Sequence, residues 1–232
     1  MPTIADNVKA VRDNIASAAL KAGREPSDVL LVAASKTKPA EMIREAVKAG
    51  IDAAGENRVN ELVEKKEQGA YEGVPLHFIG HLQSNKVKLI VGKVDLIQSL
   101  DSLHLLKLVS AQAEKLGLIQ DVLIQVNIGR EASKGGFEAE AVPEAVFYAS
   151  SLKGIRVKGL MAIPPVFDTD LKNYSYFNEM YKLFVDIRAQ KYDNVDMRYL
   201  SMGMSGDYAA AIQEGSNMVR IGSLIFGSRN YI

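Results

Sequence analysis

A regular alternation of short apolar segments with amphipathic segments runs through almost the whole chain and constrains its fold more than any other feature. The apolar segments predict eight strands, at Val29–Ala34, Ile51–Ala54, Leu76–Ile79, Val94–Gln98, Asp121–Asn127, Arg156–Met161, Met197–Leu200 and Met218–Ile221. Between them apolar residues recur at helical spacing, as in the aromatic-rich stripe from Phe177 to Ile187, which indicates packing in the core. Strands that alternate with helices predict one parallel sheet.

A closed barrel and an open doubly wound sheet both fit such a series. The open sheet usually has a Gly-rich turn after its first strand, and Ser35–Pro39 contains no glycine. Helical spacing from Ile4 to Ile15, with Thr3 and Asp6 as a capping pair, predicts an additional N-terminal helix. We see no linker, so we predict an α/β fold, a single (β/α)8 TIM barrel domain over residues 1–232 with that extra helix.

The composition excludes several classes of function. The chain has 28 basic and 28 acidic residues, so no net field attracts nucleic acid or an anionic membrane. It has no cysteine, which excludes disulfides, thiolate metal sites and cysteine nucleophiles. Neither a signal peptide nor an apolar run of the ~18 residues that a membrane span needs is recognisable. We expect a soluble, cytoplasmic monomer without nucleic-acid or membrane partners.

Active sites in such barrels lie at the C-terminal ends of the strands. Most residues at or just after the predicted ends are polar: Lys36, Asn57, His81, Ser99, Asn127, Met161, Ser201 and Arg220. His77 and His81 lie along a predicted strand, where their spacing does not favour a shared metal ion, so we predict no metal site. His81 is instead expected to donate a hydrogen bond near a ligand.

Lys36 follows the apolar run of the first predicted strand. Apolar surroundings lower the pKa of a lysine amine, which leaves a larger share of it able to attack a carbonyl carbon. A lysine that merely reaches solvent at a strand end is the common alternative.

Glycine- and serine-containing turns follow the last two predicted strands. The first, Leu200–Asp207, leads into an apolar helix that Ser205 is expected to cap, and the second begins at Gly222 and Ser223. Loops at these two positions form the usual phosphate site of this fold, although ordinary caps and turns have the same composition. Strand alternation places Arg220 on the inner face with Gly222, either paired with a buried carboxylate or directed at a ligand.

An amine, a phosphate site and an inward arginine together suggest pyridoxal phosphate as the ligand. Lys36 would hold its aldehyde as an imine, and Arg220 would face the pyridine nitrogen, where a fixed cation weakens the ring as an electron sink. The phosphate would be bound by Ser201, Ser205, Gly222 and Ser223. A Schiff-base aldolase acting on a sugar phosphate is the alternative that these residues leave open.

The chain resembles the pyridoxal phosphate homeostasis proteins, relatives of the alanine racemase barrel. The matching stretches are Val32–Pro39, Gly55–Asn57, His77–Lys86, Ser133–Gly135, Gly159–Pro164, Leu200–Ser205 and Met218–Gly227. The resemblance implies a fold-type III pyridoxal phosphate barrel with Lys36 as the imine lysine, Asn57 near the cofactor ring and Lys134 as a second lysine near the mouth. The full predicted cofactor set is Lys36, Asn57, His81, Met161, Ser201, Ser205, Arg220, Gly222 and Ser223.

The same resemblance implies binding and supply of the cofactor rather than catalysis. Related racemases take a second base, a tyrosine, from an extra β-domain that has no counterpart in this sequence. We therefore expect a protein that holds pyridoxal phosphate for intracellular homeostasis and passes it to apoenzymes. A weak amino-acid racemase that uses Lys36 as its base is the enzymatic alternative.

Overall fold

Eight parallel strands close into a barrel in sequence order, so that β1 pairs with both β2 and β8. This computed structural model describes residues 2–131, 134–165 and 170–227, with only the backbone given for 170–173. The strands are β1 Leu30–Ala34, β2 Ala53–Glu56, β3 Leu76–Phe78, β4 Leu96–Leu100, β5 Gln120–Val126, β6 Ile155–Ala162, β7 Val195–Ser201 and β8 Met218–Ile221. The predicted TIM barrel is confirmed.

Helices follow the strands and cover the outside of the barrel. They are α1 Ile4–Lys21, α2 Ala40–Lys48, α3 Val59–Glu67, α4 Val87–Ile90, α5 Leu103–Lys115, α6 Val142–Ser150, α7 Asp170–Ala189, α8 Tyr208–Gln213 and α9 Ser223–Phe226. Short 3-10 turns lie at Pro26–Asp28, Ser84–Lys86 and Ala139–Ala141. Within the described ranges, no helix combines the length and apolarity needed to cross a membrane.

The additional N-terminal helix, α1, packs outside β1 and β8. Its buried stripe, which includes Val8 and Ile15, shares a core cluster with Leu31 of β1 and Val219 of β8. Thr3 forms the predicted capping box, because its hydroxyl accepts from the Asp6 amide while the Asp6 carboxylate accepts from the Thr3 amide. The helix therefore covers the place where the first and last strands meet.

The apolar side chains form an inner and an outer layer. Residues that alternate along the strands fill the barrel interior: Val32, Ala53, Leu96, Leu123, Met161 and Met218. Most other apolar strand residues pack outward against the helices, and the predicted aromatic stripe of α7 contributes Phe177 and Phe184 to that layer. Phe177 and Phe184 are therefore core residues.

Several local details differ from the sequence prediction. Strands β2 and β4 each begin and end two residues later than predicted. The predicted seventh strand starts two residues too late, because Val195 and Asp196 are only partly buried or exposed and lack an apolar pattern. Ser205 does not cap α8; Asp207 occupies the N-cap position, and its carboxylate accepts instead from the Met204 amide at 2.6 Å. That contact tightens the turn that leads into the helix.

Gly159 allows close contact between β6 and β7. Its φ is +145°, and a Cβ built there would lie 1.8 Å from the Tyr199 carbonyl oxygen. The pairing of the two strands shifts register at this point. Only glycine provides both the backbone angle and the space.

Candidate functional site

Lys36 lies at the C-terminal mouth of the barrel, in a cavity of about 250 Å³. The inward alternation of Val32 and Ala34 in β1 continues to Lys36, which is half-buried. The cavity is lined by Ala34, Lys36, Lys38, Met204, Ser205, Gly206, Arg220, Gly222, Ser223 and Gly227. Its residues come from the loop after β1 and from the loops after β7 and β8.

The pairing of β1 with β8 brings these distant segments together. Val32 is the register partner of Arg220, so the loop that carries Lys36 lies beside the loop that begins at Gly222. A Cβ at Gly222 would lie 3.0 Å from the Ala34 carbonyl oxygen, which shows how closely the two loops approach. Lys38 joins them further by donating from Nζ to the Phe226 carbonyl at 2.9 Å.

Arg220 is a buried cation beneath this cavity. Its Nη1 donates to Ser201 Oγ at 2.6 Å, and its Nη2 donates to the Ala162 carbonyl at 2.8 Å. Burial lowers the pKa of Arg220 to about 10, and the charge of Asp207 opposes that shift. The guanidinium therefore stays charged at neutral pH, while its hydrogen bonds to Ser201 and Ala162 go to neutral acceptors.

A chain of buried hydrogen bonds continues from Ser201 into the barrel. The Ser201 hydroxyl donates to Gln98 Oε1 at 2.6 Å, and Gln98 Nε2 donates to His77 Nδ1 at 3.0 Å. Burial lowers the pKa of His77 to about 4, opposed by the charge of Asp95. His77 is therefore neutral at pH 7, with Nδ1 as an acceptor.

Gln98 is the member of this series of hydrogen bonds that no sequence motif indicates. Its only sequence signal is a polar side chain at an inward position of a strand, two residues after the interior residue Leu96. Ser201 and Met161, by contrast, are in the predicted cofactor set. Both are fully buried, Ser201 in the hydrogen-bond chain and Met161 in the apolar interior, and neither is among the lining residues of the cavity.

Asn57 and His81 line a second cavity at the same mouth, of about 390 Å³. Lys134 also lines it, forms an ion pair with Glu131 and donates from Nζ to the Pro164 carbonyl at 3.3 Å. Ser133, which belongs to the same sequence motif, lies outside the described residues. The second cavity therefore collects the predicted residues that follow β2, β3 and β5.

His81 is held toward the rim of the mouth. Its side chain is 70% exposed, and Nδ1 lies 3.1 Å from the Asp101 carboxylate. The structure thus divides the predicted set. Lys36, Ser205, Arg220, Gly222 and Ser223 share the first cavity, and Asn57 and His81 lie in the second.

Comparison with known proteins defines the class to which this barrel belongs. Residues 7–230 match the family described as alanine racemase, N-terminal domain. The pyridoxal phosphate homeostasis protein of Aquifex aeolicus is 42% identical over 97% of this chain and 98% of its own length. The protein of the same name from Escherichia coli is 40% identical over 100% of this chain and 99% of its own. This chain therefore belongs to the pyridoxal phosphate homeostasis proteins of the alanine racemase N-terminal domain family.

A solved structure extends the comparison to the fold. The PipY protein of Synechococcus elongatus, solved with pyridoxal phosphate bound, superposes with a TM-score of 0.80 at 32% identity. The alignment covers 94% of this chain and all of that one. The resemblance inferred from the sequence motifs is confirmed.

Proposed function

We propose that this protein binds pyridoxal phosphate reversibly as an imine on Lys36 and serves intracellular homeostasis and supply of the cofactor. The observation that carries the proposal is that an inward lysine shares one cavity with the serine and glycine loops after β7 and β8. The cofactor bound to PipY and the names of the curated relatives support the same ligand. When bound, the cofactor supplies an aldehyde and a ring that withdraws electrons.

The residues around the cavity fit such a ligand. Lys36 offers an amine from the loop after β1, while Ser205 and Ser223 offer hydroxyls from the loops after β7 and β8. Gly222 lines the cavity and has no side chain, so its backbone can face a phosphate directly. These groups are suited to bind an aldehyde and a phosphate within one cavity.

Arg220 favours binding over catalytic turnover. Its buried charge is fixed by Ser201 and Ala162, and a cation near the pyridine nitrogen opposes protonation of the ring. A ring that stays unprotonated stabilises a carbanion poorly, which disfavours amino-acid chemistry. Ser201, which is predicted to bind the phosphate, is buried beneath the cavity and would act on the cofactor through Arg220.

The second cavity is the proposed route between the site and its recipients. Asn57 and His81 would contact the cofactor from that side, and Met161 would support it from below. Lys134 is a proposed transit point for cofactor passed to apoenzymes. We infer that the chain does this as a single cytoplasmic domain and as a monomer.

Reconstitution of the purified full chain with pyridoxal phosphate tests the proposal. We expect imine absorbance near the boundary of the visible and ultraviolet, and borohydride should fix the label on Lys36. Lys36→Ala should abolish both signals, whereas Lys48→Ala, which removes an exposed lysine of α2, should leave both unchanged.

Other outcomes would identify the alternatives. A protein that reconstitutes no imine, or carries its label on another lysine, refutes the proposal. Sustained deuterium exchange at Cα of an amino acid would indicate a racemase. Trapping that requires a sugar phosphate would indicate an aldolase.

A further inference from the structure

We propose that Lys65 of α3, together with Glu56 and Glu61, is a positioning residue that fixes the backbone from which the Lys36 side chain enters the cavity. This inference deepens the proposed function and rests on it, because it concerns how the imine lysine is presented. Lys65 lies outside the cavity, in the layer between the barrel and α3. It acts through the backbone on either side of Lys36.

Lys65 holds the peptide that precedes Lys36. Its side chain is only 9% exposed, and Nζ donates to the Ser35 carbonyl at 3.0 Å. The same ammonium contacts Glu56 Oε1 at 2.7 Å and Glu61 Oε2 at 3.2 Å. Three acceptors around one buried ammonium leave it a single well-defined position.

Glu61 holds the residue that follows Lys36. Its Oε2, which already accepts from Lys65, also accepts from the Thr37 amide at 2.8 Å. Thr37 has a φ of +64°, in the left-handed region that β-branched residues rarely adopt. Such a backbone persists where its surroundings determine it strongly, and here the carboxylate of α3 supplies that constraint.

Glu56 of β2 is the third member of this cluster. It is fully buried, and its Oε1 accepts from the Ser35 hydroxyl at 2.7 Å and from the Tyr71 hydroxyl at 3.2 Å, in addition to Lys65. Ser35 is therefore held both by its hydroxyl and by its carbonyl. With Ser35 and Thr37 both fixed, the backbone of Lys36 between them is fixed as well.

The cluster is better suited to positioning than to stabilising the fold. A buried ion pair gains little net stability, because removing two charges from water offsets most of their attraction. Orientation of a reacting group, in contrast, has a large effect on rate, and a misplacement of about 1 Å costs roughly 100-fold. The Lys65–Glu56 pair contacts Ser35, the residue that precedes Lys36.

The test uses the double variant Lys65→Met/Glu56→Gln, which removes the charge pair without leaving one charge buried alone. In the apoprotein, we expect amide hydrogen exchange at residues 35–37 to accelerate at least about tenfold while the barrel core stays protected. In reconstitution, we expect imine formation to slow roughly 10- to 100-fold. Lys66→Met, at the neighbouring exposed position of α3, should change neither rate.

A second variant keeps the inference testable if the double variant does not fold. Glu61→Leu removes the acceptor of the Thr37 amide at a side chain that is 21% exposed, so the core remains intact. Unchanged exchange at residues 35–37 and an unchanged imine rate in a folded variant would overturn the inference. If the wild type forms no imine, the proposed function fails, and the exchange experiment on the apoprotein still decides whether α3 fixes this loop.

Discussion

The buried neutral His77 should make the stability of this barrel depend on pH. Burial lowers its pKa from 6.5 to about 4, so the unfolded chain binds a proton between these values that the folded protein does not. Stability is therefore fully present above the unfolded pKa and falls as pH decreases from about 6.5 to about 4. The difference corresponds to about 3 kcal/mol overall, of which about 2 kcal/mol is lost between pH 8 and pH 5.

Urea unfolding at pH 8 and pH 5 measures this contribution. In His77→Gln we expect the loss of unfolding free energy between the two pH values to shrink by about 2 kcal/mol relative to the wild type. His104→Gln should keep the wild-type dependence, because that histidine is exposed on α5. Equal losses in the wild type and His77→Gln would refute the argument that His77 is held neutral.

Two further substitutions probe contacts that support the site. Ser201→Ala removes a buried acceptor of Arg220 Nη1 and should lower the unfolding free energy by roughly 1–3 kcal/mol. The control Ser151→Ala, at an exposed helix end, should change the unfolding free energy little. Equal urea midpoints for the two variants would contradict this role of Ser201. Gly159→Ala should prevent stable folding, seen as loss of soluble protein or a collapsed melting temperature, because its Cβ would lie 1.8 Å from the Tyr199 carbonyl oxygen; a wild-type melting curve would contradict it.

The ring of strands is predictable because most of its segments are buried on both faces and form continuous apolar runs. The first two residues of β7 are one exception, since Val195 and Asp196 carry no such pattern. The bounds of β2 and β4 are another, since both strands run two residues past their predicted ends. The two-residue period of a strand also predicts that Arg220 faces inward. These signals are local, so one sequence is enough to detect them.

Side-chain contacts between different strands and helices are not predictable from such local patterns. Lys65 lies in a charged helix segment typical of a solvent-exposed face, and only the tertiary structure shows that its amine is buried against Glu56. Likewise, the sequence shows Gln98 only as one polar residue of a strand, and its contacts with Ser201 and His77 are visible only in the folded barrel. These partners lie on different elements of the fold, and neither the helical nor the strand period relates Lys65 to Glu56 or Gln98 to Ser201.

The adjacency of β1 and β8 has a consequence for biosynthesis. Lys36 leaves the ribosome well before Arg220 and Gly222, and the pairing of Val32 with Arg220 brings these segments together. A nascent chain that has not yet reached its eighth strand, or a chain cut before that strand, would carry the Lys36 amine without the loop after β8. Loading of the proposed cofactor would therefore report that the eighth strand has been made and that the ring of strands has closed.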